Sequence, residues 1–91
     1  MGKRRSRTEL VCEVLESIDS GIHKPTHILY NTKVSWNVYT EIIDLLQNKR
    51  FIKTLPSDES ENQNRVKYYL TNDGEQALQG MKFLREAFTP N

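Results

Sequence analysis

The stretch KPTHILYNTKVSWNVYTEIIDLLQNKRFIKTLPSDESENQNRVKYYL, residues 24–70, decides the fold. Pro25 suits the first turn of a helix, where its missing N–H would have no partner anyway. A short helix over 26–30 follows, with Ile28 and Leu29 facing inward. Asn31, which tolerates the left-handed conformation, is expected to end it. Residues 31–34 make a turn. Ser35 is a strong N-cap, and the helix behind it runs to about residue 48. Its apolar positions Trp36, Tyr39, Ile42, Ile43, Leu45 and Leu46 form the expected buried face. Residues 51–55 and 65–70 read as strands, the second with Val66, Tyr68 and Leu70 on one side. Pro56 ends the first strand, and the polar stretch 57–64 joins the two.

Outward from this stretch the pattern is helical on both sides. Upstream, Thr8 is the expected N-cap, Glu9 stands in the first turn where the helix dipole favours an acid, and Leu10, Val11, Val14, Leu15 and Ile18 form an apolar stripe. Gly21 stops that helix as its C′ residue, and Ile22 and His23 extend briefly, in position for a one-residue bridge. Downstream, Thr71 caps a last helix whose stripe is Ala77, Leu78, Met81, Leu84, Arg85 and Phe88. Gly80 weakens it by roughly 1 kcal/mol relative to Ala and suits close packing against another helix. The order predicts an α+β, mainly α fold: a winged helix-turn-helix with a three-helix core, a β-hairpin wing and a C-terminal helix over about 72–88. Residues 8–89 form the expected domain and 1–7 a flexible basic arm.

Composition narrows the functional classes. The chain has 91 residues, 36% hydrophobic and 27% charged, with a net charge of +1. That is one small domain of ordinary soluble composition. No apolar run approaches the roughly 18 residues of a membrane span, and no signal-peptide core follows the N-terminus, so the expected location is cytoplasmic. Gly2 and Ser6 fit a lipidation pattern only superficially; the basic residues between them suit a nucleic-acid-binding arm. The charge is patchy. Lys3, Arg4, Arg5 and Arg7 make the start basic, and Glu9, Glu13, Glu16 and Asp19 make the first helix acidic. Lys24, Lys33, Lys49, Arg50 and Lys53 surround the helix-turn-helix, while Asp58, Glu59 and Glu61 make the loop acidic. The single Cys12 lies on the apolar stripe as a core residue. With His23 and His27 it makes no zinc-ligand spacing. No catalytic triad, phosphate-cradling glycine loop or metal cluster appears, so an enzyme, a cofactor and a bound metal are not expected.

Several runs carry a family likeness: 24–31, then Val34, Ser35 and Trp36, then Leu45, Leu46, Phe51 and Ile52, then 68–71 and Gly74. Through them the chain resembles the small archaeal winged-helix DNA-binding proteins over about residues 8–88. The resemblance implies a transcriptional regulator or a nucleoid-associated protein, and a homodimer built on the last helix. His27 stands where the family usually carries Arg, Arg50 where it usually carries Gly at the start of the strand, and the loop acids replace a basic wing.

The expected partner is double-stranded DNA, with the helix at 35–48 in the major groove. Phosphate contacts are expected from Arg4, Arg5, Arg7, Lys24, Thr26, Lys33 and Ser35, with Arg65 and Lys67 reaching from the base of the loop. Asn37 and Thr40 are the candidates for base edges, since Asn can pair with adenine and Thr can touch the thymine methyl. Glu41 and Asp44 oppose phosphate on the same outward face, which confines groove contact to the helix's N-terminal end. Trp36 and Tyr39 are expected in the core, not stacked on bases. Leu78, Met81, Leu84 and Phe88 are the expected dimer interface. The alternative is a winged-helix module that docks another protein without binding DNA; the acidic loop and near-neutral charge favour it.

Overall fold

The computed structural model describes residues 6–56 and 66–88. The element order is α1 (Arg7–Asp19), α2 (Pro25–Thr32), α3 (Trp36–Asn48), β1 (Ile52–Pro56), β2 (Val66–Leu70) and α4 (Asn72–Ala87). This is the mainly helical winged fold expected from the sequence. The strands pair antiparallel, Ile52 opposite Leu70 and Pro56 opposite Val66.

Caps set the helix boundaries, and two differ from expectation. Ser6, not Thr8, caps α1. Its hydroxyl accepts from the Glu9 amide (3.1 Å), and the Glu9 carboxylate accepts from the Ser6 amide (2.9 Å). This reciprocal box satisfies two amides that the helix leaves open, which a cap at Thr8 would not do. Helix α2 continues past Asn31 to Thr32, and Lys33 takes the left-handed conformation (φ 58°). Asn31 is held in the helix because its side chain is used elsewhere. Its amide donates to the Ser17 hydroxyl of α1 at 2.6 Å, and Ser17 in turn donates to the Glu13 carbonyl.

Helices α1 and α3 end in the same motif. After α1, Gly21 (φ 106°) donates to the Ile18 carbonyl and Ile22 to that of Ser17. After α3, Arg50 (φ 62°) donates to the Gln47 carbonyl and Phe51 to that of Leu46. Both are Schellman turns. Arg50 therefore holds a backbone shape that glycine adopts more easily, at a cost of about 1 kcal/mol for the side chain's Cβ. Phe51 belongs to this turn, and the first strand begins one residue later.

The core joins all three helices of the bundle with the wing. Val14, Leu15 and Ile18 of α1 meet Ile28 of α2, Ile42 and Leu46 of α3, Ile52 of β1 and Leu78 of α4, all buried. Burial of these side chains stabilises the fold by roughly 1.5–3 kcal/mol each before entropy is counted. Cys12 is buried among them, and that burial, with Glu16 nearby, pushes its thiol pKa up, as suits an inert core residue. His23 ties the wing to the helices. Its carbonyl accepts from the Tyr68 amide at 2.9 Å, its Nδ1 lies 2.9 Å from the Tyr68 carbonyl oxygen, and its ring stacks on Tyr69 at 4.1 Å. In place of the expected one-residue bridge there is a single backbone hydrogen bond, and the imidazole supplies the second contact.

Thr71 and Gly74 lock α4 onto the α3–β1 turn. The Thr71 hydroxyl accepts from the Gly74 amide (3.0 Å) and donates to the Arg50 carbonyl (2.7 Å), while the Thr71 amide donates to the Phe51 carbonyl (3.0 Å). Gly74 is buried, and a Cβ there would overlap the Phe51 carbonyl oxygen. Gly80, by contrast, is exposed with nothing near its Cβ position, so it supports no close packing among the described residues.

Candidate nucleic-acid interface

The turn between α2 and α3 aims the start of α3 outward. Lys33 reverses the chain, and Ser35 caps α3 by accepting from the Val38 amide at 3.2 Å. The free amides of the first turn give this end a partial positive charge. Asn37 is exposed. Thr40 is half-buried, and its hydroxyl donates to the Asn37 carbonyl at 2.9 Å, which leaves its methyl as the distinctive contact group.

One residue here runs against the sequence reading. Trp36 is 60% exposed, not part of the core. Its apolar spacing from Tyr39 is helical, but it is the first residue of α3 and lies beyond the level at which the core begins. Tyr39 is buried and braces it, the two ring centroids 5.5 Å apart at 30°. Leu45, also expected inside, is partly exposed. The Tyr39 hydroxyl has no hydrogen-bond partner among the described residues, and burial, with Tyr68 nearby, drives its pKa well above the ordinary phenol value.

The two carboxylates of α3 are both accounted for. Glu41 pairs with Arg7 of α1 at 2.9 Å. Both side chains are exposed, so the pair adds little stability, but it neutralises the acid nearest the start of α3. Asp44 stands toward the wing, where it adds to the effect of burial in raising the Tyr68 pKa. No acid lies in the first turn of α3.

The remaining candidates are spread over the surface. Lys24 and Thr26 open α2, where Lys24 makes no side-chain cap. Lys67 lies on β2 opposite Leu55 of β1. Strand alternation puts both on the face away from Ile52, Tyr68 and Leu70, which pack on the core. Arg4, Arg5 and Arg65, and the loop acids, lie outside the described residues. His23 is engaged with the wing instead of pairing with His27, and no metal-ligating cluster exists among the described residues.

Helix α4 carries a second exposed surface. Leu78 is 3% exposed and belongs to the core, so it presents nothing to a partner and the expected interface loses it. Met81 is half-buried, Leu84 is exposed and Phe88 is 81% exposed. Phe83, absent from the sequence reading, is exposed as well. Arg85 turns back to α1, where it forms two hydrogen bonds to Glu16 (2.8 and 3.4 Å) and holds that carboxyl below its ordinary pKa. Between the start of α1 and the end of α4 lies a mostly apolar groove of about 440 Å³, floored by Cys12 and Met81 and walled by Leu84 and Phe88. No helix among the described residues is long and apolar enough to cross a membrane.

A family profile described as winged helix-turn-helix matches residues 4–88. The chain belongs to that family. No curated protein sequence matches it. Among solved structures it is similar to a cysteine-to-serine mutant of MarR from E. coli, complexed with operator DNA. The TM-score is 0.70 at 22% identity, over 82% of this chain and 53% of MarR. It is also similar to YusO of Bacillus subtilis (TM-score 0.74, 20% identity, 86% of this chain and 55% of that one). A third is the transcriptional regulator Tm0710 of Thermotoga maritima (TM-score 0.71, 16% identity, 87% and 55%). The chain spans a little over half the length of each, and at these identities the likeness is one of fold.

Proposed function

We propose that this winged helix-turn-helix protein is a double-stranded DNA-binding transcriptional regulator that lays α3 in the major groove and works as a homodimer joined through α4. One observation carries the first part. The first turn of α3 is capped by Ser35 and free of acids, and Glu41 in the next turn is paired with Arg7. A helix end of this kind suits the roughly 12 Å wide groove between two rows of phosphates. The MarR mutant of similar fold is complexed with operator DNA, which supports DNA as the partner.

In this reading Asn37 and Thr40 face base edges. Lys33, Ser35, Lys24 and Thr26 meet phosphates, Lys67 and Arg65 reach them from the wing, and Arg4 and Arg5 do so from the start of the chain, while Arg7 is held by Glu41. The net charge of +1 favours a regulator, which needs only local positive potential, over an architectural nucleoid protein that coats DNA. Met81, Leu84, Phe88 and Phe83 form the dimer surface on α4.

The test is a titration of the full chain with a short duplex over a salt series. Affinity should fall with salt, with a log–log slope near −0.9 for each phosphate neutralised. Binding that is absent at low salt would end the DNA reading and favour the protein-docking alternative.

A further inference from the structure

Trp36 has no role in the reading above. It is the chain's only tryptophan, and it stands at the first position of α3, immediately before Asn37. A large aromatic left in water at a helix start forgoes the stabilisation that burial would bring. Here it is also held in place, because Tyr39 beneath it is locked in the core and fixes the tilt of the two rings. The surroundings favour a polyanion: Lys33 precedes it by three residues, no acid lies in the first turn of α3, and Glu41 is neutralised by Arg7.

We propose that Trp36 is a specificity-determining residue whose indole face contacts the C5-methyl group of a thymine in the major groove. This rests on the placement of α3 proposed above. The chemistry selects the group. Base edges in that groove are rows of hydrogen-bond donors and acceptors, and the thymine methyl is the one apolar feature among them. An indole offers an apolar face and a single N–H donor, so the methyl is the match for its face. Trp36 and the neighbouring Asn37 would then read a thymine and an adenine from the same helical turn.

The experiment compares full-length wild type, Trp36→Ala and Trp36→Phe on a short A/T-rich duplex and on the same duplex with uracil in place of thymine. Wild type should prefer thymine by about fourfold or more, fourfold being the worth of one buried methyl group. Trp36→Ala should lose about fourfold of that preference while keeping salt-dependent affinity, any remainder belonging to the Thr40 methyl, and Trp36→Phe should lose less. Saturation with the thymine duplex should change the emission of the wild-type tryptophan. The assignment is overturned if wild type binds but does not discriminate, if Trp36→Ala discriminates as strongly as wild type, or if the emission is unmoved by saturating duplex. Failure of every variant to bind either duplex at low salt would instead remove the parent reading, and this assignment with it. Because Trp36 is mostly exposed, circular dichroism should show both variants folded.

Discussion

Replacing Gly74 by Ala sets two physical effects against each other with opposite signs. In a helix interior Ala is favoured over Gly by about 1 kcal/mol. If only that mattered, the variant would be more stable. The structure argues otherwise, since the new Cβ would overlap the Phe51 carbonyl oxygen and come within 2.9 Å of its carbonyl carbon. Both are backbone atoms of the Schellman turn and cannot rotate away. Helix α4 must therefore move off, stretching the Thr71 cap and the bonds from Thr71 to Phe51 and Arg50. A lost cap costs about 1 kcal/mol, and each of the two bonds a further ~1 kcal/mol. Less the propensity gain, the net destabilisation is about 2 kcal/mol. For a domain of this size that lowers the melting temperature by roughly 10 °C. Urea and thermal unfolding followed by circular dichroism measure it. A variant as stable as wild type, or more so, would refute the close approach of α4 to the turn. A functional consequence follows, because that turn also sets the angle between α3 and the wing, so the variant should lose duplex affinity where it remains folded.

Other outcomes are open to direct measurement. Tyr39→Phe removes a buried hydroxyl with no partner among the described residues and should leave stability unchanged or raise it by up to about 1 kcal/mol; a loss above ~1 kcal/mol in urea unfolding would reveal a partner for that hydroxyl. Glu41→Gln releases Arg7 and removes a carboxylate from α3, so duplex affinity should rise and the salt slope steepen by about 0.9; weaker binding would contradict the shielding role of the pair. The Arg85 hydrogen bonds lower the folded-state pKa of Glu16. This stabilisation is therefore complete above the ordinary carboxylate pKa and fades as pH falls through the lowered value. Glu16→Gln should flatten that acid limb in urea midpoints taken across pH, and an unchanged limb would show the pair to be inert. Leu84→Asp with Phe88→Asp should convert a dimer to a folded monomer in sedimentation, and a wild-type chain that is monomeric at high micromolar concentration would remove the proposed interface.

In the proposed complex, recognition rests on parts that are already in place. The start of α3 is fixed by Ser35, by the Tyr39 brace and by the Arg7–Glu41 pair, so the base-reading groups are presented without reordering. The wing is fixed by the bonds and stacking of His23 on Tyr68 and Tyr69. Affinity then depends on local positive charge, since the net charge is close to zero.

Local chemistry was enough to read the element types, the Ser35 and Thr71 caps, the Gly21 stop and the composition of most of the core from the amino-acid order alone. Caps, turns and apolar periodicity act over three or four neighbours, so their effect is written in adjacent residues. The Ser6 cap is written in the sequence in the same way, through Glu9 three residues on, a pairing that Thr8 lacks. Tertiary packing decided the rest. Trp36 and Leu78 both sit at helical spacing with other apolar side chains, yet only Leu78 has an opposing element to cover it. Asn31 stays helical because Ser17 from another helix takes its amide, which leaves Lys33 to make the turn. Arg50 occupies a glycine's conformation because Phe51 and Thr71 hold the chain around it. Periodicity specifies which face of an element is apolar, but how far along that face burial extends depends on where the neighbouring elements end.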